Sequence, residues 1–286
     1  MEKMTKEIIL MVNSECNNNC NHCFIPYKGH KEPEDALKLV DKFLEQGYQV
    51  KIAGAETLLD LGYLDAYERA GQRYILTNGI ILSKDPSVFK KLLEHGIEEV
   101  RMSLHFGIQQ QIESVSEETV VEAIHGAKAH GLKVGIETTV CYENCGNALS
   151  MCRRAHELGA SRIEFLRYVK SGRAKASDME TLGDIEKELF FNSIKSAKSV
   201  YSKNDLEIKL HGNFGPMNGT RGEELARCNE YCPGGKNFFA ISPDDNVYSC
   251  PFLMEHPIGK LTESGINVEK ELCSGKRDRC ITEYLL

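Results

Sequence analysis

Six β-rich segments alternate with amphipathic helical ones between residue 7 and about residue 168, and this alternation restricts the fold more than any other feature of the chain. The strand-like runs are "EIILMVN" (Glu7 to Asn13), "QVKIAG", "RYILTN", "EEVRMSL", "LKVGIETTV" and "SRIEFLRYV". Between them lie helical patterns such as "PEDALKLVDKFLEQG", which opens on proline and acidic residues and closes at Gly47, as helix-end preferences dictate. Others run over 85–95, 117–130 and 147–158. Connections of helix length between successive strands demand parallel pairing, so the expectation is an α/β fold, a partial (β/α)6 TIM-like barrel. Functional loops should then lie at the C-terminal ends of the strands.

After Val169 the pattern changes to a long helix (about 182–203), the strand-like "LEIKLHG", a glycine-rich loop and "FFAISPDDNVYSC", a hairpin around "PDDN". The predicted division is a barrel core over 1–178 and a small, cysteine-rich α+β appendage over 179–286. At 286 residues and 41% hydrophobic content the chain is long enough for this arrangement. A net charge of -7, with no lysine- or arginine-rich run, argues against a nucleic-acid partner. No stretch reaches membrane-spanning length, and the first apolar run is too short for a signal peptide. The expected location is the cytoplasm.

Eleven cysteines in a reducing compartment read as metal ligands or reactive thiols rather than disulfides. Cys16, Cys20 and Cys23 stand in an asparagine-rich loop, "ECNNNCNHCFIPYKG", directly after the first strand. Three thiolates spaced C-x3-C-x2-C wrap three corners of a metal site. A closed zinc site needs a fourth ligand, for which His22 is the awkward local candidate. An iron-sulfur cube with one open iron needs only the three.

Three further strand ends extend the pattern, "KIAGAETLL" (Gly54, Ala55, Glu56), "YILTNGI" (Thr77, Asn78, Gly79) and "VRMSLHFG" (Ser103, His105), which with the Cys16–Cys23 loop make four motifs at four successive strand ends. Together they resemble the radical S-adenosylmethionine (SAM) superfamily over Glu7 to about Arg173. Its glycine-glycine-glutamate-proline motif keeps Gly54 and Glu56 here but has Ala55 and Thr57 in the other two places. The resemblance implies that a 4Fe-4S cluster on Cys16, Cys20 and Cys23 binds SAM at its open iron. SAM is then cleaved reductively to a 5'-deoxyadenosyl radical that abstracts a hydrogen atom. It further implies cofactor contacts from Gly54, Ala55, Glu56, Asn78, Ser103 and His105. Glu137, Thr139 and Arg167 hold places where the family often contacts ribose or carboxylate. His22 becomes a neighbour of the cluster.

The C-terminal hairpin resembles those of SPASM and twitch appendages, with Asp245 where a glycine is usual. By that resemblance Cys232, Cys250, Cys273 and Cys280 bind one auxiliary 4Fe-4S cluster, with Cys228 as an alternative ligand. A four-thiolate zinc site from the same residues is the competing reading. Cys228 and Cys141 are the candidate hydrogen-atom donors to a substrate radical, whereas Cys152, inside a helical pattern, reads as core.

The function implied is oxidation, cross-linking or epimerisation of a ribosomally made peptide. The alternatives are dehydrogenation or epimerisation of a small metabolite such as an aminoglycoside, or a non-catalytic zinc-stapled binding protein. With six residues before the first strand, no N-terminal leader-recognition domain is expected. An electron donor such as flavodoxin or ferredoxin is the expected partner.

Overall fold

The computed structural model describes residues 6–112, 114–214 and 234–270. Strand β1 (Lys6–Met11) is followed by α1 (Pro33–Glu45), β2 (Tyr48–Ala53), α2 (Leu64–Arg69), β3 (Tyr74–Thr77), α3 (Ile80–Lys84), α4 (Ser87–Glu94) and β4 (Glu99–Ser103). Then come α5 (Gln109–Ile112), α6 (Glu117–Ala129), β5 (Lys133–Val140), α7 (Ala148–Glu157), β6 (Arg162–Arg167), α8 (Asp184–Val200) and β7 (Glu207–Leu210). The described part of the C-terminal segment forms β8 (Phe238–Ile241), β9 (Asn246–Tyr248), β10 (Gly259–Thr262) and β11 (Gly265–Val268). No described helix is long and apolar enough to cross a membrane.

All six expected parallel strands form, and their alternation sorts the side chains. Ile8, Leu10, Ile52, Ile75, Val100, Ile136 and Ile163 point outward and are almost wholly buried against the helices. The other face of the strands carries charges, which pair with one another. Lys51 reaches Glu7 at 2.9 Å, and Arg101 reaches Glu99 at 2.8 Å while lying 3.7 Å over the Tyr74 ring. Arg162 pairs with Glu164 and, at 3.5 Å, with Glu207.

The barrel is partial. Strands β3-β4-β5-β6-β7 form one sheet and β11-β10-β9-β8-β1-β2 the other. Where β2 meets β3, one side chain replaces the ladder. The Gln72 carboxamide accepts from Ile52 N (2.7 Å) and donates to the carbonyls of Ile52 and Tyr74, both at 3.2 Å.

The hairpin expected around "PDDN" is β8-β9, with Ala240 opposite Tyr248 and Ile241 opposite Val247. Strand β8 continues the barrel sheet by pairing parallel with β1, Glu7 opposite Phe238 through Leu10 opposite Ile241. Asp245 adopts the left-handed conformation (φ 63°) in the place where similar hairpins carry glycine. Its carboxylate binds Lys31 at 2.9 Å, just beyond the cysteine loop, which offsets part of the backbone strain.

Gln72→Leu strips the acceptor from Ile52 N–H and the donor from two carbonyls. It should cost about 2–4 kcal/mol, read in urea as a lower midpoint with an unchanged slope.

Candidate radical cofactor site

The cysteine loop is tied at its neck. Asn13 bridges His30, Ser14 N–H donates to Gly29 O (2.9 Å), Gly29 N–H donates to the Ser14 hydroxyl (2.9 Å), and Lys31 N–H donates to Val12 O (2.8 Å). Within the loop the asparagines divide the work of holding it to the rim. Asn17 Oδ1 accepts from Asn78 Nδ2 at 2.8 Å, and Asn18 Oδ1 accepts from Ser114 N at 3.2 Å. Asn19 Oδ1 accepts from Arg173, and Asn21 Nδ2 donates to Gln111 O at 3.0 Å. The polar insert that stood out in the sequence is therefore a set of tethers.

Below the loop, Asn13 joins β1 to the end of β2. Its Oδ1 accepts from Ala55 N (3.0 Å) and its Nδ2 donates to Glu56 O (3.1 Å). A Cβ on Gly54 would stand 2.3 Å from that Oδ1, so the position requires glycine. Gly172 (φ 60°) has a comparable role on the other side, where a Cβ would meet the Phe24 and Cys23 backbone at 2.6–2.8 Å. Ala174 N–H donates to Cys23 O at 3.3 Å.

These elements surround a cavity of about 1110 Å³. Cys16, Cys20 and Cys23, all half-buried, line it together with His22. Gly54, Ala55 and Asn78 come to the same wall from β2 and β3, and Ser103, His105, Glu137, Thr139 and Arg167 come from β4, β5 and β6. Among the described residues, no three His, Cys, Asp or Glu side chains gather tightly enough to hold one metal ion. Three cysteines on one cavity are the donor set of a 4Fe-4S cluster with one open iron, in which each thiolate binds a different iron. Cys16 Sγ also accepts hydrogen bonds from Asn18 N (3.4 Å) and Asn78 Nδ2 (3.6 Å), as a thiolate would. These favour the anion, whereas burial, the larger influence, pushes the free Cys16 thiol up. The three cysteines thus fit a 4Fe-4S cluster.

His105 is buried beside His22, with the rings edge to face at 4.8 Å. Its Nδ1 lies 2.9 Å from Thr139 N–H, which can only donate, so the proton of the neutral ring sits on Nε2.

Two of the expected residues stand off the cavity wall. Glu56 does not line the cavity. Its carboxylate, 1% exposed, accepts from Leu58 N (3.2 Å), the Thr77 hydroxyl (2.9 Å) and Asn78 N (2.9 Å), and so holds the strand ends that carry the site. Cys141 is also off the cavity wall, buried with Ile108, Tyr168, Ala174 and Met179, of which Tyr168 alone reaches the wall. Burial, followed by Glu143, pushes its thiol up to about 12, so the group stays S–H, and it is the position away from the cavity that separates it from a substrate bound there.

Cys152 is core, as expected. Cys250 follows β9, and the next two residues, Pro251 and Phe252, line the cavity, Phe252 touching Phe24 with ring centroids 4.8 Å apart. Cys228, Cys232, Cys273 and Cys280 lie outside the described residues. Sequence reasoning missed Asn13, Gly172 and the tethering asparagines. The "NNN" run was their one visible signal.

Burial, then the facing Glu164 carboxylate, raises the Glu137 pKa, against the opposing pull of Arg101 and Arg162. The folded state therefore binds a proton that the unfolded chain releases, and stability falls as pH climbs above the ordinary carboxylate range. Glu137→Gln should match the parent's melting temperature below about pH 4 and exceed it increasingly as pH rises. Gly172→Ala should cost about 2–3 kcal/mol and lower the iron bound per chain, with Gly146→Ala as a control, since no atom lies within 4 Å of its Cβ.

Residues 11–144 match the sequence pattern of the radical SAM superfamily. Among curated proteins, the chain is 26% identical over 190 residues to Fe-coproporphyrin III synthase of Methanosarcina barkeri, covering 61% of this chain and 47% of that protein. It is 29% identical over 143 residues to GTP 3',8-cyclase of Aliarcobacter butzleri, covering 44% and 43% respectively. The chain thus spans about half the length of these relatives. In three dimensions it resembles Streptococcus suis SuiB bound to its precursor peptide SuiA, with a TM-score of 0.71 at 15% identity over 90% of this chain and 62% of that one. It also resembles anSMEcpe with bound AdoMet and a peptide, with a TM-score of 0.64 at 16% identity over 90% and 77%. At such identities the structural matches establish a shared fold. With three cysteines and five strand ends on one cavity wall, and with this sequence match, the chain carries over residues 11–144 a domain of the radical SAM superfamily.

Proposed function

We propose that this chain is a radical SAM enzyme that removes a hydrogen atom from a peptide. Cys16, Cys20 and Cys23 hold its 4Fe-4S cluster, and S-adenosylmethionine binds beside Gly54, Ala55, Asn78, Ser103, His105, Glu137 and Arg167. The observation that carries this reading is the shared wall: the pinned cysteine loop and the ends of β2 to β6 line one cavity large enough for a cofactor and part of a substrate. When bound, the cluster and SAM supply a carbon radical strong enough to break a C–H bond.

The chain's own residues bind, orient and enclose. Asn13 and Glu56 fix the β2 and β3 ends in register with the loop, so Gly54 and Asn78 meet the cofactor at set positions. His105 lines the cavity with its Nδ1 held by the Thr139 N–H, which fixes the ring. Phe24 and Phe252 close one side with apolar surface, which limits water at a site where a radical would otherwise be quenched.

The peptide assignment draws on the peptide-bound SuiB and anSMEcpe folds. A small-molecule substrate is the second reading, favoured by the names of the two curated relatives. One auxiliary 4Fe-4S cluster on Cys250 with Cys232, Cys273 and Cys280, or with Cys228 in place of one of them, would accept or relay an electron. A flavodoxin or ferredoxin would deliver the first.

Anaerobic reconstitution with iron and sulfide tests the reading. The parent chain should turn brown and, with dithionite, release 5'-deoxyadenosine and methionine from SAM. Cys16→Ala, Cys20→Ala and Cys23→Ala should each lower release at least about 10³-fold, since the removed thiolate binds iron directly. A colourless protein that takes zinc and leaves SAM intact would overturn it. With substrate in deuterated water, loss of two hydrogens marks oxidation or cross-linking, and uptake of one deuterium without net loss marks epimerisation.

A further inference from the structure

The Asn78 carboxamide is locked in one orientation. Its Oδ1 accepts the backbone N–H of Ile80 at 2.9 Å, and because that group can only donate, the NH2 end must face the cysteine loop. One amide proton goes to Asn17 Oδ1 at 2.8 Å and the other to Cys16 Sγ at 3.6 Å, an ordinary length for an acceptor as large as sulfur. The Asn78 backbone N–H is itself held by Glu56 Oε2, and the residue is only 8% exposed. Cys16 Sγ receives its second N–H from Asn18, within the loop. One donor therefore belongs to the metal loop, and the other comes from the end of β3, more than 60 residues away in sequence.

Building on the assignment of Cys16 as a cluster ligand, we propose that Asn78 sets the reduction potential of the 4Fe-4S cluster through its hydrogen bond to Cys16 Sγ. An electron delivered by a low-potential donor such as flavodoxin leaves the donor oxidised by one electron and the cluster reduced by one, with no bond made or broken. The added negative charge falls partly on the thiolate sulfurs, so an N–H aimed at Sγ stabilises the reduced state more than the oxidised one. Asn78 thereby makes reduction easier. It acts as a positioning residue, and Glu56, by holding its backbone, keeps the donor aimed.

An anaerobic redox titration of the reconstituted full chain, followed by electron paramagnetic resonance, tests this. Asn78→Ser is the informative variant. Its hydroxyl can still accept from the Ile80 N–H two residues on, as serine does when it replaces asparagine in such turns, but it has no N–H to offer sulfur. The expected result is full iron content with a reduction equilibrium about tenfold less favourable, a potential about 59 mV more negative for one electron. Asn17→Ala removes the other partner of the same amide and should leave the potential within about twofold of the parent's equilibrium. An Asn78→Ser protein that holds its cluster at the parent potential overturns the proposal. So does one that loses the cluster while Asn17→Ala keeps it, because Asn78 would then be a prop and not a tuner. A parent chain that assembles no cluster refutes the ligand assignment itself, an outcome distinct from both.

Discussion

The buried carboxylate of Glu56 is the interaction on which the rest of the site depends. A negative charge with almost no access to water is tolerated only if its oxygens are satisfied, and three donors from Leu58, Thr77 and Asn78 do this. Those donors lie at the ends of β2 and β3, the two strands that lack a backbone ladder between them. Glu56 closes at the top what Gln72 closes lower down. Its own backbone is held by Asn13 and by Glu15 in the cysteine loop, so three strand ends and the metal loop form one hydrogen-bonded unit.

The barrel interior follows a different logic from its exterior. Outward residues are aliphatic and pack on helices, while inward ones pair charges at the foot of the cavity. Breaking such a pair leaves an uncompensated charge in poor solvent, which costs more than the intact pair contributes. Glu137 sits where the carboxylates outnumber their cations, and a raised pKa lets it remain neutral. A neutral acid can donate as well as accept hydrogen bonds, which widens what this wall can recognise.

Much of this was legible in the sequence because the signals are local. Period-two strands, helices of crossover length, the C-x3-C-x2-C loop and the polar strand ends at Asn78 and Ser103 all lie within short windows. The sequence did not show where Glu56 and Cys141 lie, because residue type and position at a strand end do not tell which way a side chain points. Glu56 turns into the β2-β3 junction and Cys141 into a core pocket. Other features left no local trace: Gln72 standing in for a ladder, Gly172 lying flush on the Cys23 backbone, and β8 pairing with a strand some 230 residues earlier. Asp245 lies between the two cases. The hairpin was readable, but the pairing of its left-handed Asp245 with Lys31 was not, since only the folded chain brings Lys31 near.

The parallel pairing of β8 with β1 also changes the mechanical status of the first strand. Without it β1 would be an edge, one side of its backbone open. With it β1 is interior, bonded to β2 on one side and β8 on the other, and the cysteine loop leaves directly from its end. An edge strand would give the loop a yielding base. A strand clamped on both sides gives a stiff one, so a cluster held there, as proposed, would change charge with little protein to rearrange.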